Sequence, residues 1–132
     1  MSTPRRRCRD QRGSALVDFT LVTVVLLPIV VGLIQVALVL HVRATLAAAA
    51  SEGARLAATA DRGPGDGVEL TRAQIDDALA GSFAKDVEVR QVLVDGAPGV
   101  EITVHAKVPA LGLGGPAVEF SVSGRAVEES PR

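Results

Sequence analysis

Between Phe19 and Leu40 the chain runs for 22 residues without a charged side chain. Nothing else in the sequence limits the fold so strongly. A helix of that length rises about 33 Å, against a hydrocarbon core of roughly 30 Å. Only Thr20, Thr23 and Gln35 bring polar atoms into it. Pro28 and Gly32 could kink the helix, but membrane helices tolerate both. The other reading, a buried helix of a soluble protein, fits poorly with a run so long and so uniform. The expectation is a single membrane span.

Charge is placed very unevenly around this run. Residues 1–13 hold Arg5, Arg6, Arg7, Arg9 and Arg12 against Asp10 alone, a net of +4, so that the remainder carries −5 of the overall −1. An arginine cluster before the first apolar segment stays in the cytoplasm and sends the rest of the chain across. The same arginines could mark a nucleic-acid patch, but no aromatic residue or folded context accompanies them. Cys8 is the only cysteine, which excludes an intramolecular disulfide. It also precedes the apolar run, whereas a lipoprotein cysteine would follow one.

One acid, Asp18, sits at the edge of the apolar segment. A carboxylate there is costly unless something positive meets it, which makes Asp18 a candidate functional residue. The basic leader ends at Gly13 and the small Ser14 opens the next segment, so this pair is a candidate processing site. Two other leaders are formally available. A secretory signal could end at Ala47-Ala48-Ala49-Ala50, but the apolar run exceeds the roughly 7–15 residues of a signal core and Arg43 intervenes. Arg5-Arg6-Arg7 is similar to a twin-arginine signal, yet the segment after it is polar and carries Asp10.

Beyond Leu40 the helical pattern continues to Ala60. Val42, Leu46, Ala49, Gly53, Leu56 and Ala60 form one apolar stripe, with Arg43, Ser51, Glu52, Arg55 and Thr59 on the other side. From Ala15 to Ala60 this reads as one helix of about 69 Å, its first half in lipid. Asp61 to Gly67 reads as a loop. A second helix is expected to start at Thr71, with Gln74 completing a capping box, and to end near Phe83. Ile75, Ala78, Leu79, Ser82 and Phe83 would be its core side.

Alternation then predicts strands. Val100, Ile102, Val104, Ala106 and Val108 alternate with Glu101, Thr103, His105 and Lys107. Asp86 to Val94 precedes them across Asp95 to Gly99, a hairpin-type connection. Val118, Phe120 and Val122 begin a third strand after the loop Leu111 to Pro116. The fold class is therefore α+β: a long N-terminal helix, a second short helix and a three-stranded antiparallel sheet. A head of this size with few aromatics has a thin core. Packing on the stripe of the long helix would supply the missing apolar surface.

Motifs of catalysis are absent. His41 and His105 have no partner at metal-ligand spacing, and neighbouring Asp76 and Asp77 diverge on a helix. Leu111-Gly112-Leu113-Gly114-Gly115-Pro116 lacks the Lys-Ser/Thr of a phosphate loop. Neither a cofactor, a metal nor a small-molecule substrate is expected, and the chain does not read as an enzyme.

Residues 12 to about 60 resemble the TadE-like family of the tight-adherence (Flp) pilus system, pilin-like membrane proteins. The resemblance is carried by Arg12-Gly13-Ser14-Ala15, Asp18-Phe19, the apolar run with Pro28, and Ser51-Glu52-Gly53-Ala54-Arg55-Leu56-Ala57-Ala58. It implies a prepilin peptidase, a membrane aspartyl protease, cutting between Gly13 and Ser14. Asp18, then fifth in the mature chain, would pair with the amino terminus of a neighbouring subunit, with Phe19 beside it at the contact. Where pilins of this kind usually carry Glu, this chain has the shorter Asp. The organisation expected is a leader over 1–13, a transmembrane and stalk helix over 14–60, and an extracytoplasmic head over 61–132. The expected place is the cytoplasmic membrane and, on assembly, the surface pilus, among other pilin subunits. The alternative is a single-pass anchor whose head binds a partner and never polymerises.

Overall fold

The computed structural model describes residues 11–59, 61–79, 84–109 and 116–129. The arginines before Gln11, Cys8, Ala60, Ser82, Phe83 and the loop residues 111–115 lie outside them. Two helices come first, α1 (Gln11–Ala57) and α2 (Pro64–Ala78), followed by three strands, β1 (Ala84–Val94), β2 (Ala97–Pro109) and β3 (Ala117–Val127). The strands form one antiparallel sheet in the order β1-β2-β3. This is the α+β arrangement expected from the alternation of patterns. The chain divides into two compact units between Ile34 and Gln35, inside α1.

In α1 the threonine hydroxyls are satisfied within the helix. Thr20 and Thr23 donate to the Leu16 and Phe19 carbonyls, each at 2.8 Å. Such back-bonding removes the need for an outside partner. The helix ends at Ala57, three residues before the expected Ala60. The chain tightens there, with Thr59 N–H on the Leu56 carbonyl at 3.1 Å, and the Glu129 N–H beyond β3 reaches the Ala58 carbonyl at 2.9 Å. A carbonyl just past the helix end thus finds a donor from the segment after β3.

The second helix begins seven residues earlier than expected, at Pro64 rather than Thr71. Proline fits the first helical position, where its missing N–H would have no partner anyway. The Asp66 carboxylate accepts the Gly63 N–H at 2.9 Å, satisfying a free donor and placing negative charge at the helix start. What read as the loop Asp61 to Gly67 therefore contains the first turn of α2. Thr71 is not a cap but a buried mid-helix residue. Its hydroxyl lies 2.8 Å from the Gly67 carbonyl and 3.3 Å from that of Ala49 on α1. Gln74 likewise leaves the expected capping box and hydrogen-bonds Glu52 of α1. The helix stops at Ala78, where Leu79 turns extended. Its buried side is Gly67, Thr71 and Ile75, with Leu79 just beyond; Ala78 is exposed.

The β1–β2 turn is shorter than the five residues read from the sequence. Asp95 and Gly96 alone make it, at φ 50° and 84°, the two positive values of a primed hairpin turn. Ala97, Pro98 and Gly99 consequently join β2. Within β2 the predicted alternation holds: Val100, Ile102, Val104, Ala106 and Val108 are all buried. Val87 and Val89 of β1 and Phe120, Val122 and Ala126 of β3 flank them on the same side.

What covers that face is α1 and α2. Val42, Leu46, Ala49, Ala50, Ala54 and Ala57 join Ile75, Leu79 and the inward residues of β2 in one core. Leu56, assigned to the stripe by its spacing, is only half-buried; Ala54, Ala57 and Ala58 take the inward positions. Glycines set how close the elements come. A Cβ at Gly124 would lie 2.5 Å from the Ala50 carbonyl carbon, and one at Gly53 would lie 2.6 Å from the Gly67 oxygen. Real Cβ atoms do not occupy such positions, so α1 rests with its backbone directly on β3 and α2.

A methyl at Gly124 must therefore push α1 off the sheet. Gly124→Ala is expected to destabilise the head by about 1–3 kcal/mol, as overpacking does. Gly65→Ala, where an added Cβ meets nothing within 4 Å, should be neutral or raise stability by up to about 1 kcal/mol through helix propensity. Thermal unfolding of the two variants in detergent checks both signs. A Gly124→Ala protein melting at or above the parent temperature would contradict the close approach.

Candidate functional site

The residues singled out from the sequence lie on the first turns of α1. Gly13, Ser14, Asp18 and Phe19 are all helical and all exposed. Ser14 and Asp18 are four residues apart, which puts them on one face one turn apart. A side chain at Gly13 would meet nothing within 4 Å. The site is thus a bare helical segment rather than a cleft.

Its surroundings are apolar. Large side chains from Leu16 to Ile34 stand exposed, Phe19 the most at 69%. This helix is long and apolar enough to cross a membrane. Because the threonine hydroxyls are already bonded to carbonyls within α1, the carboxylate of Asp18 is the one formal charge among residues 13–40. A carboxyl group on so apolar a surface is costly in lipid unless a positive partner meets it.

A second surface, the outer face of the sheet, is polar. Glu101 of β2 is paired in register with Arg90 of β1 and Arg125 of β3, and it accepts a bond from Arg125. His105 lies 3.9 Å from Glu88. Lys107 lies 2.9 Å from Glu119, and its hydrogen bond and charge hold the Glu119 carboxyl below its usual range. A lowered carboxylate adds stability above its unfolded pKa and loses it as pH falls through the folded one. Exposed as it is, the pair contributes little. Among the described residues no three His, Cys, Asp or Glu side chains gather as a metal site. His41 and His105 are both exposed and 64 residues apart in sequence.

Sequence reasoning overlooked one contact at the end of β2. Gln35 donates from Nε2 to the Pro109 carbonyl at 3.3 Å, tying the end of β2 to the helix at the upper part of the apolar run. The signal was present in the chain: Val108 to Val118 contains no polar side chain at all. Only its middle, Leu111 to Pro116, reads as a loop, while Val108 and Val118 read as strand ends, and no pattern in it points to Gln35.

Nothing among curated proteins or solved structures matches the chain. Residues 13–55 do match a family model, that of the TadE-like protein, from the candidate processing glycine to the last turn of α1. The N-terminal helix of this chain is therefore similar to the TadE-like family over residues 13–55, and it is long and apolar enough to cross a membrane.

Proposed function

We propose that the protein is a minor pilin-like subunit of a tight-adherence pilus, held in the cytoplasmic membrane by α1 and cut by a prepilin peptidase between Gly13 and Ser14. The observation that carries this reading is the extent of the TadE-like match, which covers the apolar run and Asp18 together and starts at Gly13. Glycine suits such a cut because a protease cleft closing on the backbone leaves little room for a side chain. The role is structural, in the fibre or in its assembly, and the partners are the peptidase and other pilin subunits.

Processing comes first. Expressed with a cognate prepilin peptidase, the protein should begin at Ser14, as mass spectrometry of its N-terminus from membranes would report. A bulky residue at Gly13 should leave residues 1–13 attached. Persistence of the full chain beside an active peptidase would favour the plain anchor instead.

Orientation follows from the charge. With a leader of net +4 on the cytoplasmic side, a reporter active only outside the cytoplasm should work when fused after Arg132. Activity of a cytoplasm-only reporter at that position would reverse the topology.

Asp18 separates a pilin from an anchor. In a pilin the carboxylate meets the new amino terminus of Ser14 on a neighbouring subunit, removing both charges from lipid. Losing one partner of such a pair costs several kcal/mol. Asp18→Ala should therefore weaken co-purification with other pilins roughly tenfold or more, about 1.4 kcal/mol per decade, with membrane insertion unchanged. Asp18→Glu should retain association, because the charge remains. Normal association and pilus output from Asp18→Ala would leave the carboxylate without this role.

A further inference from the structure

The lower end of the head differs from its upper end. At the upper end the β1–β2 turn carries Asp95, and Glu128 and Glu129 follow β3 beside it, with Glu128 N–H on the Pro98 carbonyl at 2.8 Å. At the lower end, β2 runs out at Pro109 and β3 resumes at Ala117. The whole sequence from Val108 to Val118 is devoid of charged and polar side chains. Lys107 and Glu119 close this stretch on both sides and neutralise each other across the sheet at 2.9 Å.

Depth along α1 makes that composition informative. The Gln35–Pro109 hydrogen bond places the end of β2 beside Gln35. Leu40, the last residue of the uncharged run, lies five residues further on, about 8 Å along the axis. Leu38 and Val39 on this turn pack against the head, while Val36 and Leu40 stand 58% and 59% exposed. Val118, in register with Val108 one step from Pro109, is 48% exposed, whereas Val122 and Gly124 further along the inward side of β3 are buried. The apolar end of the sheet thus shares its level with exposed apolar helix residues, below the first cation, Arg43.

We infer that the β2–β3 end of the head, at Pro109 and Pro116–Val118, is seated in the lipid boundary of the outer leaflet, next to Val36 and Leu40. This rests on the reading of α1 as a membrane span. Water cannot satisfy an apolar end, whereas the acyl–headgroup boundary accepts such surface without desolvating any charge. The nearest ionic groups, Lys107 and Glu119, come one step higher, where headgroups and water solvate them.

The test uses the full chain with Cys8→Ser, carrying one environment-sensitive fluorophore on Val118→Cys, Asp95→Cys or Leu26→Cys. Each protein is reconstituted in vesicles of phosphatidylethanolamine and phosphatidylglycerol that contain a nitroxide at a shallow or a deep acyl position. The label at Val118→Cys should emit at shorter wavelength than that at Asp95→Cys and be quenched by the shallow nitroxide, while Asp95→Cys stays unquenched. Leu26→Cys, in the middle of the span, should be quenched by the deep nitroxide and so reports the membrane reading separately. With Leu26→Cys quenched, a Val118→Cys label that behaves like the one at Asp95 overturns the inference and leaves the span intact. A label at Val118 that is blue-shifted yet unquenched by either nitroxide also overturns it, because protein rather than lipid then covers the site. No quenching at Leu26→Cys removes the span, and the inference falls with it.

Discussion

The sheet has one apolar face, and the fifteen residues of α2 bury only Gly67, Thr71 and Ile75. Neither could close a core with the other alone, because a head this short buries too small a fraction of its surface. The alanine- and glycine-rich side of α1 from Val42 to Ala57 supplies the rest. Small residues matter here because they let the helix backbone touch its neighbours: Ala50 and Ser51 lie over Gly124, and Gly53 lies against Gly67. Dispersion contacts fall off steeply with separation, so a close fit of small groups compensates for the scarcity of large ones. Polar links fasten the same seam. Thr71 reaches the Ala49 carbonyl, Gln74 meets Glu52, and the Glu129 N–H meets Ala58.

One helix therefore serves two surroundings. Its upper residues, from Gln35, belong to the head as much as the strands do. Before them the large side chains are apolar and exposed, the hydroxyls of Thr20 and Thr23 are bonded within the helix, and Asp18 is exposed among them. Such a surface has to be covered by lipid or by like helices. The TadE-like match falls on this helix and stops near its end, so the feature the family shares is the helix, while the head is joined to it through packing.

The polar outer face of the sheet points the other way. Its ionic groups alternate in sign across the strands, from Arg90 through Glu101 to Arg125 and from Lys107 to Glu119. Cross-strand pairs of opposite charge favour the register that the buried face already demands. They leave that face solvated and electrically mixed, which suits a head surrounded by water on that side.

The amino-acid sequence alone determined the apolar run, the arginine cluster before it, the position of Asp18 and the strand alternation from Val100 to Val108, because each is a periodicity or charge pattern that holds regardless of neighbours. It also showed that the head needed the stripe on the long helix. It misplaced the start of α2, since Gly63-Pro64 reads as a break although proline is at home in a first turn and Asp66 caps it. It took Thr71 for a cap, because a threonine followed three residues later by glutamine looks the same whether its hydroxyl meets its own helix start or the carbonyl of another helix. Only the tertiary structure decided that Thr71 is buried against Ala49, that Gly124 lies under α1, and that Pro109 stands beside Gln35. Those contacts join residues 22 to 74 positions apart, and no local pattern records which distant backbone will come within reach.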